Sequence, residues 1–138
     1  MATISTPTLS VTNASNTTVM LTVKYTLTPS NIEKQAGTVF SENIQLIGDD
    51  PGVAGDIVIT NFPVQTFVVS TSTTTLTRER TRTVLKSAMN EDPQFQTTGA
   101  EIVDETLARI TLAYAANGPT TPTLPSPTPT NIVNGAWK

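Results

Sequence analysis

One ten-residue segment of the sequence, from Val19 to Thr28, alternates strictly between apolar and other side chains. Its odd-numbered positions carry Val, Leu, Val, Tyr and Leu, and its even-numbered positions carry mostly Thr, together with Met20 and Lys24. Side chains that alternate with period two point to opposite faces of a strand. The pattern therefore predicts an antiparallel strand with one face in a core and the other face in water.

Threonine dominates the composition, with 28 of the 138 residues. Its branched Cβ favours extended backbone and its hydroxyl tolerates water, so threonine suits strands with one solvated face. Further strand-like runs cover residues 39–47, 57–62, 64–69, 76–86 and 107–114, with turn-forming residues between most of them. We therefore predict an all-β fold, an antiparallel β-sandwich of about seven to eight strands that is immunoglobulin-like or jelly-roll-like.

The same alternation predicts which side chains of these strands face the core. Glu42 falls on the inward face of the strand 39–47, where we expect it near the rim. Between the first two strands, Ser30 and Glu33 match a capping box and Gly37 matches a helix stop, which predicts at most one or two helical turns, with a plain loop as an equal alternative. Pro63 separates two short strands and indicates a bend or an edge position. The predicted core residues are Val19, Leu21, Val23, Tyr25, Leu27, Phe40, Ile44, Leu46, Ile110 and Leu112.

Both ends of the sequence differ from its centre, so we divide the chain into a domain, residues 18–116, and two arms. Residues 1–17 are polar and predict an N-terminal arm with a short strand at best. Residues 117–138 contain five prolines, which favour extended polyproline II geometry. This C-terminal arm ends in an apolar group that we expect to be anchored on another chain or, less favoured, in a groove of its own chain: Ile132, Val133, Ala136 and Trp137.

A row of basic residues marks one predicted strand. Arg78, Arg80 and Arg82 recur at every second position and share one face, while Thr and Glu side chains share the other. Neither face is apolar, so an ordinary core strand is excluded. The row, extended by Lys86, is expected at a solvated edge, where charges oppose aggregation, or against an acidic surface of another copy. Pairing within the chain, with the acids of 101–109, is the alternative.

The acidic residues offer one weak metal candidate. Asp49, Asp50 and Asp56 lie in one predicted loop, and loops of this kind supply the six to eight oxygen ligands that calcium requires. Their spacing matches no EF-hand, and turn chemistry explains the Asp-Asp-Pro-Gly sequence. We therefore predict neither a metal nor a cofactor.

Missing residue types exclude several functions. The chain has no Cys and no His, which excludes Cys/His zinc sites, thiol nucleophiles and imidazole bases. Adjacent acids such as Asp104 and Glu105 point to opposite faces of a strand and cannot act together across a sugar-binding cleft. The net charge of −3 and the lack of aromatics among the arginines argue against nucleic acid. The sequence also predicts no membrane span and no Sec signal peptide.

By elimination, the sequence predicts a non-enzymatic structural protein that works in many copies. Examples are a phage or virus decoration, capsid or tail component, or a filament subunit, located in a virion or an extracellular assembly. Its expected partners are other copies of itself, as a homo-oligomer, or a co-assembling structural protein. The alternative is a secreted or surface β-sandwich that binds carbohydrate or protein, in one version with calcium. The predicted contact residues are Arg78, Arg80, Arg82, Lys86, Ile132, Val133 and Trp137.

Overall fold

The computed structural model describes residues 2–48, 57–89, 104–120 and 124–135. In these residues the chain forms nine strands and two short helices, which confirms the all-β prediction. The helices are α1 (Asn31–Ala36) and α2 (Lys86–Met89). The strands are β1 (Thr3–Asn13), β2 (Thr18–Thr28), β3 (Val39–Gly48), β4 (Ile57–Asn61), β5 (Gln65–Val68), β6 (Leu76–Leu85), β7 (Asp104–Ala116), β8 (Thr128–Pro129) and β9 (Val133–Gly135).

The described strands form two antiparallel sheets. The first sheet has the order β1-β2-β6, and the second has the order β4-β3-β7-β8. In the second sheet, β5 pairs with the same side of β3 as β4 does, and β9 pairs with β7. This order, in which β2 and β6 share one sheet while β3 and β7 share the other, is that of immunoglobulin-like sandwiches. The predicted antiparallel β-sandwich is therefore confirmed.

The core lies between the two sheets, and its composition follows the predicted alternation. All ten predicted core residues are buried. On the opposite face of β2, Lys24 is exposed and Met20 is 39% exposed, so the register of this strand is also as predicted. Apolar side chains at every second position are removed from water by the facing sheet, which is the main stabilising term of such a fold.

The short helix α1 connects the two sheets and begins with the predicted capping box. The Ser30 hydroxyl accepts a hydrogen bond from the Glu33 N–H at 3.3 Å, and the Glu33 carboxylate accepts one from the Ser30 N–H at 2.7 Å. Gly37 ends the helix with a φ of +63°, a conformation that glycine adopts without a steric penalty. The helix, rather than a plain loop, is the observed connection.

The N-terminal segment is not an arm, and this prediction is wrong. Residues 3–13 pair with β2 from one end to the other, and Leu9 is 3% exposed in the core. A bulge between Ser5 and Thr8, with Thr6 at a φ of +47°, interrupts the ladder once. The polar sequence of this segment does not reveal the strand, because an edge strand is held by backbone hydrogen bonds, which need few apolar side chains.

The described part of the C-terminal segment also belongs to the sandwich rather than to an extended arm. Asn117 turns the chain back with a φ of +56°, and its carbonyl accepts a hydrogen bond from the Thr38 hydroxyl at 2.8 Å. Residues 124–135 then follow β7, with which β8 and β9 pair. This part of the chain therefore completes its own sheet instead of reaching a neighbouring copy. We call residues 124–135 the strap; Trp137 lies outside the described residues.

Candidate functional site

The most unusual group of side chains in the described residues is a cluster of charges buried between the sheets, and Glu42 is its centre. Glu42 lies on the inward face of β3 between Phe40 and Ile44, as the alternation predicts. Its side chain is 0% exposed, although its two arginine partners come from β6, at the edge of the described first sheet. A carboxylate that is removed from water in this way is stable only if it is paired and hydrogen-bonded.

The partners of Glu42 come from the row of arginines on β6. In the register of the first sheet, Arg78 lies opposite Tyr25 and Arg80 lies opposite Val23. Opposite residues of an antiparallel pair share a face, so the arginine row points into the sandwich together with the core face of β2. Since β6 is the last described strand of its sheet, these long side chains can reach across to the second sheet.

Three side chains donate hydrogen bonds to the Glu42 carboxylate. Arg78 binds it with two nitrogens, Nε at 3.1 Å from Oε2 and Nη2 at 3.2 Å from Oε1. Arg80 contributes Nη1 at 2.5 Å from Oε1, and the Tyr25 hydroxyl donates to Oε2. Bidentate arginine pairs of this kind are among the stronger hydrogen bonds in proteins and fix the geometry as well.

The two arginines also donate hydrogen bonds to the edge of the second sheet. Arg78 Nη2 donates to the side-chain oxygen of Gln65 at 3.1 Å, and its guanidinium lies 4.4 Å from the centre of the Phe67 ring. Arg80 Nη2 donates to the carbonyl of Pro63 at 2.6 Å. The cluster therefore connects β2 and β6 of one sheet with β3 and β5 of the other.

The pKa shifts in the cluster keep Glu42 ionised and Tyr25 and Arg78 protonated at neutral pH. Burial alone would raise the pKa of Glu42, but hydrogen bonds from Arg78, Tyr25 and Arg80 outweigh it and lower this pKa below its ordinary value. Burial and the neighbouring carboxylate raise the pKa of Tyr25 well above its ordinary range. For Arg78, burial would lower the pKa, but the bonds to Glu42 outweigh it and raise this pKa. A general acid or base needs a pKa near the operating pH, so these shifts suit a structural role rather than proton transfer.

A second buried carboxylate, Glu33, also has a structural role. Besides capping α1, it accepts a hydrogen bond from the Tyr114 hydroxyl at 2.7 Å, and its side chain is fully buried. The Tyr114 ring packs against Phe40, and the Phe40 ring in turn stacks on Phe67. These contacts hold the short helix against β7 of the second sheet.

At the opposite side of the sandwich, neutral groups of the strap connect the two sheets. Thr130 exchanges two bonds with Ala108 of β7: its N–H donates to the Ala108 carbonyl at 2.8 Å, and its hydroxyl accepts from the Ala108 N–H at 2.9 Å. The Asn131 side chain accepts from the Leu9 N–H at 2.8 Å and donates to the Leu9 carbonyl at 3.2 Å. The Asn131 amide thus occupies the edge of β1 as a neighbouring strand would.

The predicted contact residues are not gathered in one place. Arg78 and Arg80 do not form an exposed row: they are 18% and 7% exposed and pair within the chain, with Glu42 rather than with the acids of 101–109. Arg82 is half-buried, and its Nε has no hydrogen-bond partner among the described residues. The other predicted contact residues with described side chains have these positions: Lys86 is half-buried at the start of α2, Ile132 is 46% exposed, and Val133 packs partly buried against the core.

Sequence reasoning missed Glu42 and Asn131 as key residues. A signal for Glu42 was present, since a single acid at an inward position of an apolar strand requires basic partners, and the chain offers three arginines on one strand face. Asn131 gave no such signal, because a lone asparagine after a proline-rich segment is also typical of a turn.

The calcium candidates Asp49, Asp50 and Asp56 lie outside the described residues. Within the described residues, no group of three or more acidic side chains could hold a metal ion. A cavity of about 280 Å³ is lined by Asn16, Thr17, Leu85, Lys86 and Ser87, at the tip of the β1–β2 hairpin. None of the described helices has both the length and the apolar character needed to cross a membrane.

No protein-family model and no curated protein sequence matches this chain. One solved structure, described as "Crystal structure of putative beta-galactosidase from bacteroides fragilis", is similar over 94% of the chain, with 14% sequence identity and a TM-score of 0.45. The chain spans only 15% of the length of that protein. A similarity at this TM-score assigns no activity to the chain.

Proposed function

We propose that this protein is a non-enzymatic structural subunit that works in many copies through contacts on its surface. Proteins with this role include decoration, capsid and tail components of viruses or phages, and subunits of filaments. The partners are other copies of the chain or a co-assembling structural protein.

The observation that carries this proposal is that the charged residues buried in the sandwich join its two sheets. Glu42 forms ion pairs with Arg78 at 3.1 Å and with Arg80 at 2.5 Å, and all three side chains hold one sheet against the other. The pKa of Glu42 is lowered and that of Arg78 is raised by their mutual hydrogen bonds, so these two groups stay charged near neutral pH and keep the sheets joined. A rigid interior of this kind is typical of a domain whose function lies at its surface.

The surface also offers apolar side chains for such contacts. Val58, Val64 and Val68 are 47%, 61% and 63% exposed and follow the same edge of the second sheet, along β4 and β5. Apolar side chains grouped at one edge favour contact with another protein surface.

The mass of the protein in solution tests this proposal. We expect light scattering to give multiples of the 14.7 kDa chain mass that increase with concentration, and negative-stain microscopy to show regular particles or fibres. A constant monomer mass at every concentration up to the solubility limit would refute self-assembly.

A second candidate, a secreted or surface binding module, is favoured by the strand order, which many cell-surface domains share. A calcium-dependent module would show a thermal midpoint that rises with calcium and falls with a chelator. The structural subunit is expected to show no such change.

A further inference from the structure

The edge formed by β4 and β5 has one side without a partner among the described strands. Both strands run antiparallel to β3, β4 beside residues 45–48 and β5 beside residues 39–42. They are two parts of one edge strand, broken near Pro63. No described strand pairs with their other side.

The backbone of β5 points hydrogen-bonding groups toward that open side. The Val69 N–H donates to the Thr38 carbonyl at 3.1 Å, so this pair of residues is hydrogen-bonded across the β3–β5 ladder. Hydrogen-bonded and non-hydrogen-bonded pairs alternate in an antiparallel ladder. The N–H and C=O groups of Phe67 and Gln65 therefore point to β3, whereas those of Val68, Thr66 and, by continuation, Val64 point away from it.

The side chains at these outward positions carry no charge. Val64, Thr66 and Val68 are all exposed on one face of the sheet, and residues 57–77 contain no charged residue. Free edges of natural sheets are usually protected by charges, by proline or by a cover. Beyond Pro63, β5 lacks such protection.

The segment from Val64 through β5 can pair antiparallel with a second copy of itself so that valine meets valine. If two copies pair antiparallel around a two-fold axis at Thr66, each Val64 lies opposite a Val68 of the other copy. The outward groups of these residues would then exchange about six backbone hydrogen bonds. Exposed valines would pack against valines, a favourable cross-strand pair.

The outer side of β6, with which no described strand pairs, does not offer this match. Pairing β6 with its own copy around Arg80 would place each Arg78 opposite an Arg82. Like charges in directly opposite positions destabilise a ladder. Between the two edges on this side of the sandwich, self-pairing therefore favours β5.

We propose that β5 pairs with β5 of a second copy around a two-fold axis at Thr66, so that the second sheet continues through both copies. This inference rests on the proposed function and names one of the contacts by which copies associate.

Two double variants with the same sites test the pairing. Val64→Lys/Val68→Lys places Lys opposite Lys twice, and we expect the dissociation constant, measured by sedimentation, to rise roughly tenfold or more. Val64→Lys/Val68→Glu removes the same two valines but places Lys opposite Glu, and its dissociation constant should stay within about threefold of the original. Both sites are exposed, so circular dichroism should show the same fold for all three proteins.

A single thiol provides a geometric test, because the chain has no cysteine. Thr66→Cys places two thiols beside the two-fold axis, and a short bismaleimide should join the copies in high yield. Ser10→Cys, exposed on β1 at the opposite side of the sandwich, is the matched control and should give little cross-linked dimer.

The outcomes separate the two proposals. Equal dissociation constants for both double variants, or equal cross-linking at Thr66 and Ser10, would overturn the β5 pairing while the protein still assembles. A protein that is monomeric without any substitution would overturn the proposed function and the pairing together.

Discussion

At the side of the sandwich where β6 faces β5, three charged side chains join the two sheets, whereas at the side where β1 faces the strap, neutral amide and hydroxyl groups join them. Glu42, Arg78 and Arg80 form the first connection, and Thr130 and Asn131 form the second. Both connections link sheets that also share one apolar core. The two sides thus solve the same packing problem with different chemistry.

The comparison shows that the loss of stability on removal of a contact depends on the chemistry of that contact. A buried ion pair gains little over apolar packing, but the loss of one partner leaves an uncompensated charge in the interior. A neutral hydrogen bond contributes about 1 kcal/mol, and its loss leaves only a polar group without a partner. We therefore expect substitutions on the charged side to be more damaging than single substitutions on the neutral side.

Removal of the whole neutral side should have the largest effect. Deletion of residues 119–138 takes away the bonds of Thr130 and Asn131 and the apolar contacts of Leu124 and Val133. We expect a loss of more than about 5 kcal/mol in the free energy of unfolding, comparable to the total stability of many domains. Urea denaturation measures this. A loss below about 2 kcal/mol would show instead that residues 119–138 form a separate arm, as the sequence predicts, and contribute little to the fold.

The next largest effect should come from Glu42. Glu42→Gln keeps the shape of the side chain but leaves Arg78 and Arg80 without their counter-charge, so we expect a loss of about 3–5 kcal/mol in urea denaturation. Glu79→Gln, on the exposed face of β6, is the control and should change the stability by less than about 0.5 kcal/mol. Similar losses for the two variants would show that Arg78 and Arg80 do not depend on the charge of Glu42 for their stability in the interior.

On the neutral side, Asn131→Ala should cost about 1–3 kcal/mol, since the N–H and C=O of Leu9 lose their partner at the edge of β1. Asn61→Ala, at an exposed position of β4, serves as the control with little expected change. If Asn131→Ala destabilised the protein as much as Glu42→Gln, the proposed contrast between the two sides would be wrong.

The smallest expected effect is the change with pH in the destabilisation that Glu42→Gln causes. The folded-state pKa of Glu42 is lowered, so its contribution to stability is complete above the unfolded value of about 4.3 and is lost as the pH falls through the folded pKa. The penalty of Glu42→Gln should thus be constant from pH 7 to about 5 and decrease below pH 4. The penalty of Asn131→Ala should not vary with pH, because neither Asn131 nor its partner Leu9 titrates. Parallel pH profiles for the two variants would contradict this assignment.

Local sequence patterns were sufficient for much of the fold. The alternation in β2 predicted which of its side chains enter the core, and the Ser30–Glu33 pair predicted the start of α1, because these signals depend on neighbours a few residues away. The same reasoning placed Arg78, Arg80 and Arg82 on one face of a strand. It also placed Glu42 on the inward face of β3.

What only the tertiary structure decided is where those faces point and what they meet. Alternation shows which side chains share a face, but the pairing of β6 with β2 turns the arginine row inward, toward a carboxylate that lies 36 and 38 residues away in the chain. The contact between Asn131 and Leu9 spans 122 residues and depends on the strap passing the edge of β1. Such contacts leave no local periodicity, because they are set by how the two sheets stack and not by the residues that flank them.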